Sequence, residues 1–380
     1  MPIPTILTNA TLILEEETLN GTLVFDSKGI ISIDQGRSKL SEAIDCKEDL
    51  VAPGIVEMHT DNLEKHLMPR PRVRWPNPLA AALVHDAQMA AAGVTTVFDA
   101  VCAGGHENGN DERKAIFADE IASIGMGREQ DLFRIDHYLH LRCELSDPDL
   151  VALVEPQRGK DYLKLVSLMD HTPGQRQWRD AAHLRTYLTG TGLTAAQIEH
   201  EIHGRREIGT TSSSKNWPLL VDMFANSGIV MASHDDTEED HVEMAIEAGC
   251  HISEFPTTVL AAKAAKHRGL ATIGGAPNIV RGGSHSGGVS MRELVKLDLL
   301  DGLSSDYVPS SLLQAVQILN AEGLSLPKAF GMVTWKVADM VGLADRARLK
   351  PGLRSDIIRI KMIGPTPIVR RVWSAGQIAF

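Results

Sequence analysis

The chain has 380 residues, 43 % of them hydrophobic, enough to fill the core of one large domain or two ordinary ones. That excludes an intrinsically disordered chain and a small disulfide-stapled one. The formal charge of -11 at pH 7 disfavours nucleic acid as a partner, since phosphate backbones are bound by basic surface; it leaves room for a local cationic pocket.

The N-terminal stretch "MPIPTILTNATLILEEE" has no basic segment leading into an apolar one. No later run reaches the roughly 18 uncharged apolar residues that span a bilayer. A soluble cytoplasmic protein without a membrane partner is the expectation. Cys46, Cys102, Cys143 and Cys250 lack CxxC spacing and read as reduced, buried thiols.

Residues 1–50 read as short strands ("TILTNATLILE", "TLVFD", "GIISIDQG") between Gly, Asn and Asp turns, and the last 30 residues repeat that texture in "SDIIRIKMI" and "PIVRRVWSAG". Both chain ends, 1–50 and 345–380, are expected to pair into one small β-sandwich domain. Residues 51–344 alternate apolar strands with helical patterns, the signature of parallel βα units. The candidate strands are "DLVAPGIVEMH", "VTTVFDAV", "IDHYLHLRCEL", "YLKLVSLMDH", "IVMASHDD", "CHISEFP", "LATIGGAPN" and "DGLSSDY". Eight is the number that an α/β fold of the TIM-type (β/α)8 barrel needs; a doubly wound open sheet has similar periodicity. The helical patterns "LAAALVHDAQMAAAG" and "VEMAIEAG" both end on a glycine suited to a C-cap. Residues 174–216 are polar, helical in part and Ser/Thr-rich at their end, and read as an insertion at the C-terminal face of the barrel.

The strand ends are polar in a recurring way. His59 and Asp61 end the first, Arg142 and Glu144 the third, Asp170 and His171 the fourth, His234, Asp235 and Asp236 the fifth, Glu254 the sixth and Asp306 the eighth. Burying such groups unpaired is costly, and barrel enzymes carry their catalytic groups at these ends. His59 and Asp61, two apart on a strand, share a face and can converge on one ion. His171 and His234 add imidazole donors, Glu144 can bridge two ions, and Asp306 can accept a proton from water between them. Divalent metal ions, two of Zn, Mn or Fe, suit this mixed set.

Beyond the HxD, "KHLMPRPRVRWP" carries Lys65, Arg70, Arg72 and Arg74 on a proline-held extended loop, a shape fitted to phosphate oxygens. The glycine-rich "GGAPNIVRGGSHSGG" adds Arg281 and His285 after the seventh strand.

With these residues laid out, the chain resembles the amidohydrolase superfamily, through "VAPGIVEMHTD", the later histidines and Asp306. The strings "HTDNLEKHLMPRPRVRWP", "LVSLMDHTPGQRQ", "GAPNIVRGGSHSG" and "LSSDYVPSSLL" resemble more closely its branch of diphosphatases in bacterial phosphonate degradation. The resemblance implies hydrolysis of a ribose 1-alkylphosphonate 5-triphosphate, a phosphorylated sugar phosphonate, to the 5-phosphate and pyrophosphate. It assigns metal ligation to His59, Asp61, Glu144, His171 and His234, and proton transfer to Asp306. A homo-oligomer is compatible with it. Asp61 departs from the second histidine usual in the superfamily, and Phe255 from a sixth-strand histidine. Lys164, early in its strand, is a poorer bridging ligand than Glu144. The alternative is a hydrolase of C–N bonds, a cyclic amidase or deaminase, which has no use for a ring of arginines; a metal-free scaffold is the remaining rival.

Overall fold

The computed structural model describes residues 3–71, 73–105, 112–179, 181–189, 193–284 and 287–380. Among them, eight parallel strands pair in sequence order: Ile55–Thr60, Val94–Ala103, Asp136–Glu144, Leu163–Met169, Val230–His234, Ile252–Glu254, Ala271–Gly275 and Gly302–Ser304. These are the eight expected from the alternating pattern, and they make a TIM-type barrel. Helices wrap it; the one at Pro78–Ala91 shows why the sequence folds so locally. Asn77 accepts from the Ala80 N–H at 3.1 Å, Pro78 fills the first turn, and Gly93 follows with φ +93.

The barrel closes at a narrow seam. The first and eighth strands meet through a single bridge, Thr60 to Asp306, with Asp61 N–H donating to Asp306 O at 2.8 Å and Asp306 N–H to His59 O at 3.1 Å. Below it, buried Glu57 replaces the missing ladder: its two carboxylate oxygens accept from His59 N–H at 2.7 Å and Ser305 N–H at 2.6 Å.

Both chain ends build a second, mostly antiparallel sheet in which Leu50–Pro53 lies between Thr5–Ile13 and Ile357–Ile363. It encloses a core of its own, including Leu12, Phe25, Ile357 and Trp373. The single run "DLVAPGIVEMH" is in fact two strands, parted at Gly54. Leu50–Pro53 serves the terminal sheet and Ile55–Thr60 the barrel. A Cβ at Gly54 would lie 2.1 Å from Thr95 Oγ1, so only glycine lets the chain turn there. A knot of charges ties the two units: Arg346 Nη1 donates to Asp136 Oδ2 at 2.5 Å, and Arg354 bonds the same carboxylate.

Residues following the fourth strand form helices Ala181–Thr189 and Ala195–Phe224. The Ser/Thr-rich end expected beyond the helical part is itself helical. Thr210, Thr211 and Ser214 donate back to the carbonyls of Arg206, Glu207 and Thr210, satisfying hydroxyls that otherwise compete with the helix.

Candidate metal centre

His140, Arg142 and Glu144 alternate along the third strand, so all three enter the barrel mouth. There they meet the ends of the first, fourth, fifth and sixth strands, and two clusters form side by side.

The first centres on His59, 1 % exposed. Its Nε2 lies 3.7 Å from Asp61 Oδ1, and donor atoms of His59, Asp61 and Asp306 fall within 4.8 Å of one another. His59 Nδ1 is 3.1 Å from Glu254 Oε1, whose other oxygen accepts from Ser167 Oγ at 2.5 Å. His140 completes this layer: its Nδ1 donates to Met58 O at 3.0 Å and its Nε2 meets Ser167 Oγ. Burial pushes His140 down to about 3, so it is neutral. Burial acts the same way on His59, yet the facing Glu254 charge and hydrogen bond outweigh it and raise its pKa. Burial would raise Glu254, but the imidazoles of His59 and His140 reverse this and hold it well below the usual carboxylate range.

The second cluster joins His171, His234 and Asp235, again with donors within 4.8 Å. Glu144 accepts from His171 N–H at 3.1 Å, from His171 Nδ1 at 2.5 Å and from Ser146 Oγ. Against burial, the Glu144 charge raises His171, and His171 in turn lowers Glu144. His234 Nδ1 is buried 3.2 Å from Asp235 Oδ2 without hydrogen-bond geometry. The His59 and His234 rings are 5.7 Å apart, and the Phe255 ring packs against both, 4.9 Å from His59 and 5.3 Å from His234. Phe255 is thus packed where a sixth-strand ligand would reach.

These donors fit divalent cations: they are imidazoles and carboxylates, they converge from different strands, and one imidazole nitrogen is buried without a hydrogen bond. Of the residues singled out from the sequence, His59, Asp61 and Asp306 come together, as do Glu144, His171 and His234. Sequence reasoning assigned no role to His140, Ser167, Asp235 or Glu254, although the period-two face of the third strand pointed to His140 and the polar strand ends contained Glu254 and Asp235. It named Arg142 at the end of the third strand without a role; its Nη1 donates to Asp61 Oδ1 at 2.8 Å. Lys164 is exposed at the start of its strand, away from His171.

The residues expected from the sequence to bind anions are divided. Lys65 donates to Tyr307 O and stands near Asp61 and Asp306, burial lowering its pKa. Arg74 is drawn outward into an ion pair with Asp119 on helix Glu112–Glu129. Arg70 is exposed in the bridge it makes with Val73, and Arg281 is exposed in the last turn of helix Ala276–Arg281. Arg72 and His285 lie outside the described residues.

Solved structures share this architecture. The N-acetyl-D-glucosamine-6-phosphate deacetylase of Mycobacterium smegmatis is 16 % identical, with 99 % of this chain and 100 % of that one covered and a TM-score of 0.63. The dihydropyrimidinase of Brevibacillus agri NCHU1002 is 12 % identical, with 99 % and 95 % covered and a TM-score of 0.55. A third structure, described as an amidohydrolase, is 13 % identical, covers 99 % and 98 %, and has a TM-score of 0.61. No family model matches the chain. The barrel, the sheet from both termini and the polar strand ends define an amidohydrolase fold. Among curated proteins, the alpha-D-ribose 1-methylphosphonate 5-triphosphate diphosphatase of Escherichia coli (strain K12) is 38 % identical over 379 residues, 99 % of this chain and 100 % of the relative. The chain belongs to that diphosphatase family.

Proposed function

We infer that this chain is a metal-dependent diphosphatase that converts a ribose 1-alkylphosphonate 5-triphosphate to the 5-phosphate and pyrophosphate in phosphonate degradation. The observation that carries this reading is 38 % identity along 99 % of the chain to a relative of that name. The reading extends to a cytoplasmic location and to a homo-oligomer, the latter checked by light scattering. Among the described residues no helix is long and apolar enough to cross a membrane.

His59, Asp61 and Asp306 would hold one divalent cation, and His171, His234 and Asp235, with Glu144 behind His171, a second. Bound there, the cations supply Lewis-acid charge and lower the pKa of a coordinated water. Asp306 would take the proton from the attacking water, its carboxylate set by the seam hydrogen bonds on either side of its peptide. Glu254 and Ser167 fix the ring of His59, and Glu144 fixes that of His171, so the donors need little reorganisation. Arg142 would offset triphosphate charge that an acidic protein otherwise repels. Phe255 packs against the His59 and His234 rings and would limit their movement.

The test is turnover of the ribose 1-methylphosphonate 5-triphosphate by metal-loaded protein, followed by phosphorus NMR. Equal amounts of pyrophosphate and 5-phosphate are expected. Release of orthophosphate alone, or faster turnover of a hydantoin than of any triphosphate, would refute the reading. Carbon–nitrogen hydrolysis has only the likeness of fold behind it.

A further inference from the structure

Asn62 and Tyr307, the residues that follow Asp61 and Asp306 in the chain, line a pocket of about 480 Å³. Its polar lining is Asn62, Lys65, His66, Gln88, Tyr307 and Ser310. Three elements contribute: the short helix Asn62–Leu67 after the first strand, the last turn of Pro78–Ala91, and the loop after the eighth strand. The seam brings them together, because Asp61 N–H donates to Asp306 O and the residues that follow each, Asn62 and Tyr307, line the walls. Ala91 and Pro309 make those walls partly apolar.

The polar groups are built in. Asn62 is 3 % exposed, and its Nδ2 donates to Gln88 Oε1 at 2.9 Å and sits 3.0 Å from His85 Nδ1. His85 Nε2 is in turn 2.7 Å from Asp99 Oδ1 and Asp99 Oδ2 is 2.8 Å from His137 Nδ1, so a buried chain behind the pocket fixes the Asn62 amide. His66 Nε2 shares the same Gln88 oxygen at 2.8 Å. Lys65 is held by the Tyr307 carbonyl, its Nζ 5.1 Å from the centre of the Tyr307 ring, which stations one cation at the rim. One cation, fixed amides, a hydroxyl and short apolar walls match a sugar that carries an anionic substituent; the volume lies in the usual range for small ligands.

We propose that this pocket is the subsite for the ribose 1-alkylphosphonate end of the substrate, with Lys65 facing the phosphonate, Gln88 and Ser310 facing sugar hydroxyls, and Ala91 and Pro309 against the alkyl group. The assignment of the ligand rests on the diphosphatase reading. Release of pyrophosphate places the ribose on one side of the reacting phosphate group and the leaving phosphates on the other. Lys65, which lines the pocket, interacts with the carboxylates of Asp61 and Asp306, so a ribose held beside Asp306 has this pocket as its neighbour.

The experiment uses the metal-loaded full chain and two variants. Gln88→Leu removes the shared amide at nearly constant volume, and Ser310→Trp fills the pocket from an exposed position that does not threaten folding. Calorimetry measures binding of ribose 1-methylphosphonate 5-phosphate, with pyrophosphate titrated as the reference, and kinetics measures KM and kcat for the triphosphate. Both variants are expected to weaken the ribosyl ligand relative to pyrophosphate by about tenfold or more, and to act on KM more than on kcat. Equal weakening of both ligands, or of neither, overturns the subsite and leaves the diphosphatase reading standing. A wild-type protein that binds the ribosyl ligand, loses it in both variants and yet does not turn over the triphosphate keeps the subsite and overturns the diphosphatase reading. No binding of the ribosyl ligand by wild type overturns the subsite outright.

Discussion

Glu57 and Glu254 are both fully buried carboxylates, and their neighbours set them to different tasks. Glu57 meets backbone N–H groups at the seam, and burial pushes it up to about 7. Glu254 meets imidazoles, stays ionised, and orients His59 from the side opposite Asp61. Glu254→Gln keeps the shape and removes the charge, so metal affinity should fall by about 10- to 100-fold while the fold persists; titration with zinc against a competing chelator measures this, and unchanged affinity would detach Glu254 from the centre. Asp306 has φ +53, a conformation that asparagine tolerates well, so Asp306→Asn tests the carboxylate without straining the seam. Its kcat should drop by about 10²- to 10⁴-fold at full metal occupancy by elemental analysis, and undiminished turnover would remove Asp306 from the chemistry. At this scale the sequence is partly legible. HxD and the final Asp306 stand out, but the partner of His59 lies 195 positions away, and nothing local distinguishes Glu254 from a solvated strand end. Arg74 shows the converse: its guanidinium looked free for phosphate, and the packing of a distant helix supplied Asp119 instead.

At the scale of elements, the segment after the fourth strand secures the centre. Arg176, 6 % exposed, donates to His234 O at 2.7 Å and to Asp236 Oδ1 at 2.5 Å, while Asp236 Oδ2 accepts from Ser233 and Ser253. Arg176→Met would leave the buried Asp236 without its cation and should cost about 3–5 kcal/mol in urea denaturation. A loss within surface-substitution range would contradict that role. The helix Ala195–Phe224 crosses so near the fourth strand that a Cβ on Gly209 would lie 2.4 Å from Thr172 Oγ1, and Asn216 bonds the carbonyls of Leu145 and Asp147. That close crossing was not legible, because "GTTSSSK" has the composition of a loop and becomes helix only when its hydroxyls find carbonyls within the helix. Between barrel and helices, His137 lies between Asp99 and Asp86; burial lowers its pKa, but the two carboxylates carry it from 6.5 up to about 9. A histidine raised in the folded state stabilises fully below its unfolded pKa and loses that contribution as pH climbs through about 9. The shift corresponds to roughly 3 kcal/mol at 1.36 kcal/mol per unit. Urea midpoints of wild type should therefore fall between pH 7 and 10, and Asp99→Asn should flatten that slope; parallel slopes in both proteins would contradict the assignment.

For the whole molecule, the alternating apolar pattern identified all eight barrel strands, and the textures of both chain ends identified the second sheet. What the pattern could not resolve is where one unit hands over to the other, since Gly54 interrupts an unbroken apolar run and its reason, Thr95, belongs to another strand. The family membership and the clustered donors together make metal binding the central claim, because two groups of imidazoles and carboxylates, buried or half-buried, converge at the mouth of one barrel. Ligand binding to the folded state alone stabilises it by about 2.7 kcal/mol at a hundredfold excess over Kd, so chelation should lower Tm as well as abolish turnover. The most direct measurement is anomalous diffraction from crystals grown with manganese or zinc. Peaks within bonding distance of His59 and Asp61, and of His171 and His234, are expected. Maps without anomalous density there, under excess metal and with His59 still paired to Glu254 and His171 to Glu144, would contradict the account.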